Sequence, residues 1–196
     1  RSASLTAPNG PSQQEVITTA LSEAGVDPLD VDYIETHGTG TALGDPIEIG
    51  ALKAVYGTDR SEDCPLVLGA VKTNVGHLEA GAGIAGLIKT ILVLMYRQAP
   101  PNLHMSTLNP HINIDNFPVV FPKECTPLGT WKEDGSHLFA GLSSFGFGGT
   151  NSHVILESYS ADSEKDTEKS NFSLVPPNPF NPISFAWTDP VHPLLN

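Results

Sequence analysis

Apolar residues follow helical and strand periods in turn from residue 11 to residue 157, which predicts a mixed α/β domain. A helix is predicted from Pro11 to Gly25, with an apolar stripe at Val16, Ile17, Ala20, Leu21 and Ala24. Strands are predicted at 31–35, 66–71, 138–142 and 153–157, with a short edge strand at 119–121. The apolar segment from about Ile84 to Tyr96 predicts a second long helix.

A third helix is predicted to begin at Asp45. Asp45 suits the N-cap position, Pro46 suits the first helical position, and Glu48 follows the cap by three residues as in a capping box. The sequence therefore assigns Asp45 and Glu48 to the start of a helix.

The character of the chain changes after Glu157. Residues 158–170 hold six charged side chains without apolar periodicity, which is typical of a solvated segment, and prolines extend it further. We expect a folded domain over 1–157 and a disordered linker over 158–180.

Charge and cysteine content narrow the class of function. Of the 196 residues, 10 are Lys or Arg and 22 are Asp or Glu, giving a net charge of −12 without a basic cluster, so no nucleic-acid partner is expected. Cys64 and Cys125 lie far apart in a chain without a visible secretory signal, which favours free thiols in the cytoplasm. The apolar run 91–95 is too short to cross a bilayer, so no membrane partner is expected. Because the chain opens on Arg1, we expect a piece of a longer polypeptide.

Two histidines follow two predicted strands. His37 lies in Glu35-Thr36-His37-Gly38-Thr39-Gly40-Thr41, and His77 in Lys72-Thr73-Asn74-Val75-Gly76-His77. Strand ends are where an α/β enzyme usually presents its chemistry, and two histidines at one site can stabilise a developing oxyanion or enolate. The glycine-rich turn 146–149 could add backbone N–H donors.

Other interpretations of these residues stay open. A single histidine in a turn is more often structural, and His153 is interpreted as structural here. Zinc binding is poorly supported because no His-x-x-x-His or cysteine pair is present. Neither Cys64 nor Cys125 lies where a thiolate would be activated, so the residues describe half of an acyl-transfer site.

Both histidine segments, together with Ser144-Phe145-Gly146-Phe147-Gly148-Gly149-Thr150-Asn151, resemble three signatures of β-ketoacyl synthases. Leu5-Thr6-Ala7-Pro8-Asn9-Gly10-Pro11-Ser12-Gln13 resembles the modular type I polyketide synthase branch. The resemblance covers residues 1–157. It implies a thiolase-like fold with α/β/α/β/α layers, of which this chain is the C-terminal half of the ketosynthase domain.

The resemblance also implies an acyltransferase reaction. A cysteine on the N-terminal half takes an acyl chain from an acyl carrier protein; malonyl or methylmalonyl on a carrier loses CO2, and the carbanion attacks the thioester. His37 and His77 are implied to drive decarboxylation, and Lys72 to order the second histidine. Substrate contacts are expected from Thr39, Thr41, Asn74, Phe147 and Gly148. Substrates arrive on phosphopantetheine, and no cofactor or metal is expected within the domain.

Departures from the family pattern leave alternatives. The family's nucleophile segment Asp-Thr-Ala-Cys-Ser-Ser is absent, so this chain alone is expected to be inactive, and Gly86 stands where some fatty-acid relatives carry glutamate. A malonyl-decarboxylating or chain-length-factor-like homologue, and a non-catalytic dimerisation or scaffold fragment, are the rival hypotheses. Segment 181–196 resembles the start of a dehydratase domain. The expected partners are the N-terminal half, an acyl carrier protein, a second copy in a homodimer and this downstream domain.

Overall fold

The computed structural model describes residues 7–133 and 136–159. The predicted linker from residue 160 onward and the predicted dehydratase-like segment 181–196 lie outside the described residues. The helices are α1 (Gly10–Ala24), α2 (Gly44–Tyr56), α3 (Lys72–Val75) and α4 (Ala82–Tyr96). The strands are β1 (Val31–Glu35), β2 (Leu66–Gly69), β3 (Gln98–Ala99), β4 (Val119–Val120), β5 (Thr126–Pro127), β6 (Phe139–Phe145) and β7 (Asn151–Glu157).

A five-stranded sheet in the order β4-β2-β1-β6-β7 forms the centre of the described chain. Strands β4, β2, β1 and β6 run parallel, and β7 returns antiparallel to β6. Glu35, the last residue of β1, is in register with Gly69 of β2 and Leu142 of β6. The loops that follow these three parallel strands therefore leave from the same edge of the sheet.

Helices cover both faces of this sheet, so every residue of β1 and of β2 is buried. On one face, α1 and α2 bury a cluster that includes Ile17, Leu52 and Ile34. On the other face, α4 packs Val93 against Tyr33. The result is a helix–sheet–helix sandwich. This α/β architecture agrees with the predicted fold class.

Helix α4 presents a second apolar face that no described residue covers. Its exposed side chains repeat at helical spacing: Ile84, Ile88, Ile91, Leu92 and Met95. We call this set the outer face of α4. By length and composition alone, Glu79–Tyr96 would suffice to cross a membrane, although a helix from the centre of a large domain passes the same criterion.

The helix starts differ from the sequence prediction. Helix α1 begins at Gly10, one residue before the predicted start, and Asn9 caps it, because its Oδ1 accepts the Ser12 N–H at 3.0 Å. The prediction of Asp45 as the N-cap of α2 is wrong: the cap is Leu43, whose side chain makes no capping bond. Asp45 instead accepts the Gly40 N–H at 3.1 Å. The small antiparallel pair β3–β5 was not predicted.

Candidate active site

The loops after β1, β2 and β6 bring the two predicted histidines and the glycine-rich turn together. The ring centroids of His37 and His77 lie 5.8 Å apart, with the ring planes nearly perpendicular at 88°. The ring centroid of Phe145, the last residue of β6, lies 5.8 Å from that of His37. Residues separated by more than 100 positions thus share one site.

A cavity of about 750 Å³ opens at this edge of the sheet. Six of the predicted site residues line it: His37, His77, Thr39, Thr41, Phe147 and Gly148. Lys72 and Asn74 are absent from its lining. Asn74 is exposed on α3, where its Oδ1 accepts the Thr73 hydroxyl at 3.2 Å.

Glu48, which the sequence assigned to a capping box, holds the His37 loop instead. Its Oε1 accepts the His37 N–H at 2.7 Å and its Oε2 accepts the Gly38 N–H at 2.9 Å. Burial raises the pKa of Glu48 to about 7, against the opposing effect of these two hydrogen bonds. One buried carboxylate thereby fixes two successive backbone groups of the loop.

The environment of His37 keeps its ring neutral at physiological pH. Burial, with the nearby charges of Lys72 and His77, lowers the pKa of His37 to about 4. Its buried Nδ1 has no hydrogen-bond partner among residues 7–133 and 136–159. His37 lines the cavity, so its neutral ring can exchange a hydrogen bond with a ligand there.

His77 is oriented by the backbone that follows it. Gly76 ends α3 with φ of 78°, a conformation that favours glycine, and turns the chain towards the cavity. The Glu79 N–H donates to Nδ1 of His77 at 3.3 Å, which leaves the proton of the neutral ring on Nε2. Nε2–H is then the donor available to a ligand.

Lys72 lies at the start of α3, close enough to influence both loops electrostatically. Burial lowers the pKa of Lys72, whereas the carboxylates of Glu35, Glu48 and Asp45 act in the opposite direction. These three acidic side chains partly offset the effect of burial on the pKa of Lys72, which remains lowered.

The glycine-rich turn is closed by its own backbone. The Gly146 N–H donates to the Thr150 carbonyl at 2.6 Å, and Gly148 and Gly149 adopt φ of 90° and 99°. These left-handed conformations favour glycine and leave the Phe147 side chain at the rim of the cavity, 78% exposed.

The polar residues that line the cavity but were not predicted as site residues are Asn9, Ser12, Gln13, Glu48 and Asn151. Gln13 of α1 is buried there, and its Oε1 has no partner in the described part of the chain. Glu48 lines the cavity as well. His153 lies outside the cavity lining and is buried between Tyr56 and Ser143. Cys64 and Cys125 are free thiols, and they too lie outside the cavity lining.

Comparison with known proteins identifies the class. Residues 1–106 match the family described as beta-ketoacyl synthase, C-terminal domain, and residues 109–178 match the ketoacyl-synthetase C-terminal extension. The chain belongs to the β-ketoacyl synthase family and corresponds to the C-terminal half of its domain.

Its relatives place it within the polyketide synthase branch. One component of the phenolphthiocerol/phthiocerol polyketide synthase of Mycobacterium tuberculosis is 52% identical over 157 residues, which cover 80% of this chain and 8% of that protein. Erythronolide synthase EryA2 of Saccharopolyspora erythraea is 51% identical over 160 residues, covering 82% of this chain and 4% of that protein. The chain therefore spans less than a tenth of either relative.

Solved structures support the thiolase-like fold. Ketosynthase twelve from the bacillaene polyketide synthase of Bacillus amyloliquefaciens superimposes with a TM-score of 0.73 at 41% identity, covering 80% of this chain and 28% of that chain. An oxazolomycin ketosynthase domain, KS8 of OzmH from Streptomyces albus, gives 0.72 at 40% identity, with 82% of this chain and 42% of that chain covered.

Proposed function

We propose that this chain supplies the two-histidine side of a polyketide ketosynthase, an acyltransferase that performs decarboxylative Claisen condensation. The observation that carries the proposal is the meeting of His37 and His77 at 5.8 Å in one cavity, beside a glycine-rich turn. Two imidazole rings at this separation can donate to a single substrate oxygen that becomes negatively charged.

The reaction divides between the two substrates. Loss of CO2 breaks the bond between the malonyl carboxylate and its methylene carbon, and the electron pair passes to the thioester oxygen as an enolate. His37 and His77 stabilise that oxygen, His77 through Nε2–H. The enolate carbon then attacks the acyl thioester held on a cysteine of the N-terminal half, a carbon–carbon bond forms, and the cysteine thiolate leaves.

The residues around the histidines fit the delivery of a substrate on phosphopantetheine. The hydroxyls of Thr39 and Thr41, with their oxygens 3.4 Å apart, line the cavity and can hydrogen-bond the amides of that arm. Phe147 is proposed to gate the acyl chain from the rim, while its N–H and that of Gly148 face the developing oxyanion. Lys72 is proposed to order His77 from outside the lining, and Asn74 to act as a peripheral polar contact.

The N-terminal half of the domain is the proposed partner for the outer face of α4. This chain covers only 28% of the solved ketosynthase it resembles, so most of such a domain remains to be packed against it. An apolar stripe of this length is otherwise unfavourable in water. Acyl carrier protein and a second copy of the domain are further proposed partners, and the cytoplasm is the proposed location.

The test is turnover by the complete ketosynthase domain with malonyl carried on acyl carrier protein. His77→Ala is expected to abolish CO2 release and condensation while the cysteine still accepts an acyl chain. The matched control is His111→Ala, because His111 is exposed and outside the cavity. Full turnover by His77→Ala would show that its role is misassigned.

The same assay separates the rival function of malonyl decarboxylation alone. The observation that favours this rival is that both histidines line the cavity, whereas neither thiol of this chain does. CO2 release without a condensed product, together with glutamine in place of the upstream cysteine, would support it.

A further inference from the structure

We propose that Glu35, neutralised by Lys89, is a positioning residue that ties the loop bearing Lys72 and His77 to the strand that leads into His37. The expected effect of Glu35 on kcat rests on the proposed function, whereas its expected effect on the structure of the loop does not. It assigns a role to a buried ion pair that lies beneath the site rather than in its cavity.

Glu35 makes contact with three separate elements. It is the last residue of β1, two positions before His37, and it is 0% exposed. Its Oε1 accepts the N–H of Val71, the residue immediately before α3. Its Oε2 accepts the Tyr33 hydroxyl at 2.5 Å and lies 2.9 Å from Nζ of Lys89 on α4. One carboxylate thus joins β1, the start of the His77 loop and α4.

The bond to Val71 adds to a link made by the next residue. Thr36 donates to the Gly69 carbonyl through both its N–H at 2.8 Å and its hydroxyl at 2.9 Å. Thr36 therefore secures the end of β2, and Glu35 secures the residue from which α3 begins. Together they fix where Lys72 enters the site relative to His37.

The energetics of the ion pair favour a positioning role over a purely stabilising one. Lys89 is 8% exposed, and its ammonium contacts Oε2 without a well-directed hydrogen bond. Removing two charges from water is costly, and apolar replacements of buried ion pairs are often as stable. Lys89 therefore compensates a charge whose use lies in its bond to Val71.

The packing of α4 leaves room for this arrangement. A Cβ at Gly86 would lie 3.4 Å from Glu35 Cγ and 2.7 Å from Leu142 Cδ1. A side chain at position 86 would displace the end of the Leu142 side chain and contact the Glu35 side chain. The glycine thus allows the helix to pass directly over Glu35.

Glu35→Gln is the informative substitution because it preserves shape and removes charge. When the amide oxygen of the E35Q side chain accepts the Val71 N–H, the amide NH2 group faces the Lys89 ammonium. When the amide is flipped, its NH2 group faces the Val71 N–H. Either orientation leaves two donors in conflict. In the double variant E35Q/K89M the conflict disappears, since the amide can accept from Val71 and donate to the Tyr33 oxygen.

The experiment uses the complete ketosynthase domain and two readouts. Hydrogen exchange over residues 70–78 reports the hydrogen bond between Glu35 and the Val71 N–H. The E35Q substitution is expected to speed exchange of the Val71 amide about tenfold. Steady-state kinetics are expected to show kcat lower by about ten- to a hundredfold at unchanged KM, because the loop is misplaced while the substrate cavity persists. E35Q/K89M is expected to recover to within about threefold of wild type. The control, Lys123→Met, removes an exposed lysine and is expected to change neither readout.

The outcomes separate the two proposals. Unchanged exchange at Val71 in E35Q overturns the tie, and faster exchange with an unchanged kcat overturns the positioning role. If E35Q does not fold, the double variant decides: folded E35Q/K89M with a kcat at least tenfold below wild type also overturns it. A wild-type domain that releases no CO2 refutes the proposed function, while the exchange measurement still tests Glu35.

Discussion

Replacing Glu48 with glutamine should separate the stability of the domain from the geometry of its site. Glu48 is 3% exposed, and its two oxygens accept the N–H groups of His37 and Gly38 at 2.7 and 2.9 Å. A glutamine amide can accept only one of these bonds and turns its NH2 group towards the other donor. The His37 loop must then shift.

The direction of the stability change follows from the pKa of Glu48. The folded carboxyl has a pKa of about 7, above its ordinary value of 4.5, because it is buried. Between these values the folded state binds more protons than the unfolded state, so wild-type stability falls as pH rises. A rise from 4.5 to 7 corresponds to about 3 kcal/mol lost by pH 8. Glutamine does not titrate and avoids this loss.

Urea unfolding of the complete domain at pH 5 and pH 8 measures the effect. The stability of Glu48→Gln relative to wild type is expected to rise by about 2–3 kcal/mol from pH 5 to pH 8, while kcat for CO2 release falls about ten- to a hundredfold. A stability difference that does not change with pH, or an unimpaired kcat, would refute the reasoning.

Two further substitutions test the core and the proposed interface. Burial lowers the pKa of His153 to about 4, so the unfolded chain protonates first as pH falls below 6.5, and wild type should lose up to about 3 kcal/mol by pH 4. His153→Gln should lack this acid-dependent loss in urea unfolding of the complete domain. Ile88→Lys places a charge on the outer face of α4, where Ile88 is 55% exposed. It should reduce aggregation of this chain in light scattering and weaken its association with the N-terminal half at least tenfold.

The predictions for His153→Gln and Ile88→Lys can each be contradicted by a specific result. Equal acid slopes in wild type and His153→Gln would show that His153 does not carry the titration. For the interface, Thr19→Lys is the matched control because Thr19 is exposed on α1, away from α4. Association that is equally weak in both variants, or unaffected in Ile88→Lys, would remove α4 from the proposed contact.

The sequence predicted the elements that depend on local chemistry. The alternation at 31–35 and the apolar run from residue 66 predicted the two strands that deliver His37 and His77, and Gly25 ends α1 in the left-handed conformation. Apolar periodicity and glycine conformation act within a few residues, so they can be interpreted without tertiary structure.

Long-range use of polar groups could not be predicted in the same way. Asp45 and Glu48 fit a capping box, yet their carboxylates bind the backbone of the loop after β1. Asn102, which lies outside every predicted helix and strand, accepts the Ala70 N–H and donates to the Leu68 carbonyl, both at 2.9 Å, in the manner of a neighbouring strand. Asn102 is 32 and 34 residues from these partners, a separation that no local pattern encodes. The pairing of β3 with β5 could not be predicted from the sequence for the same reason.

The final strand has a consequence for joining synthase domains. Ser158 closes the β6–β7 hairpin: its N–H donates to the Leu138 carbonyl, and its hydroxyl accepts the Leu138 N–H, both at 2.8 Å. Leu138 is fully buried, so water cannot replace these bonds. A chimeric synthase spliced directly after Glu157 would make its first foreign residue responsible for them. A graft that retains Ser158 keeps the exchange point outside the hydrogen-bonded sheet.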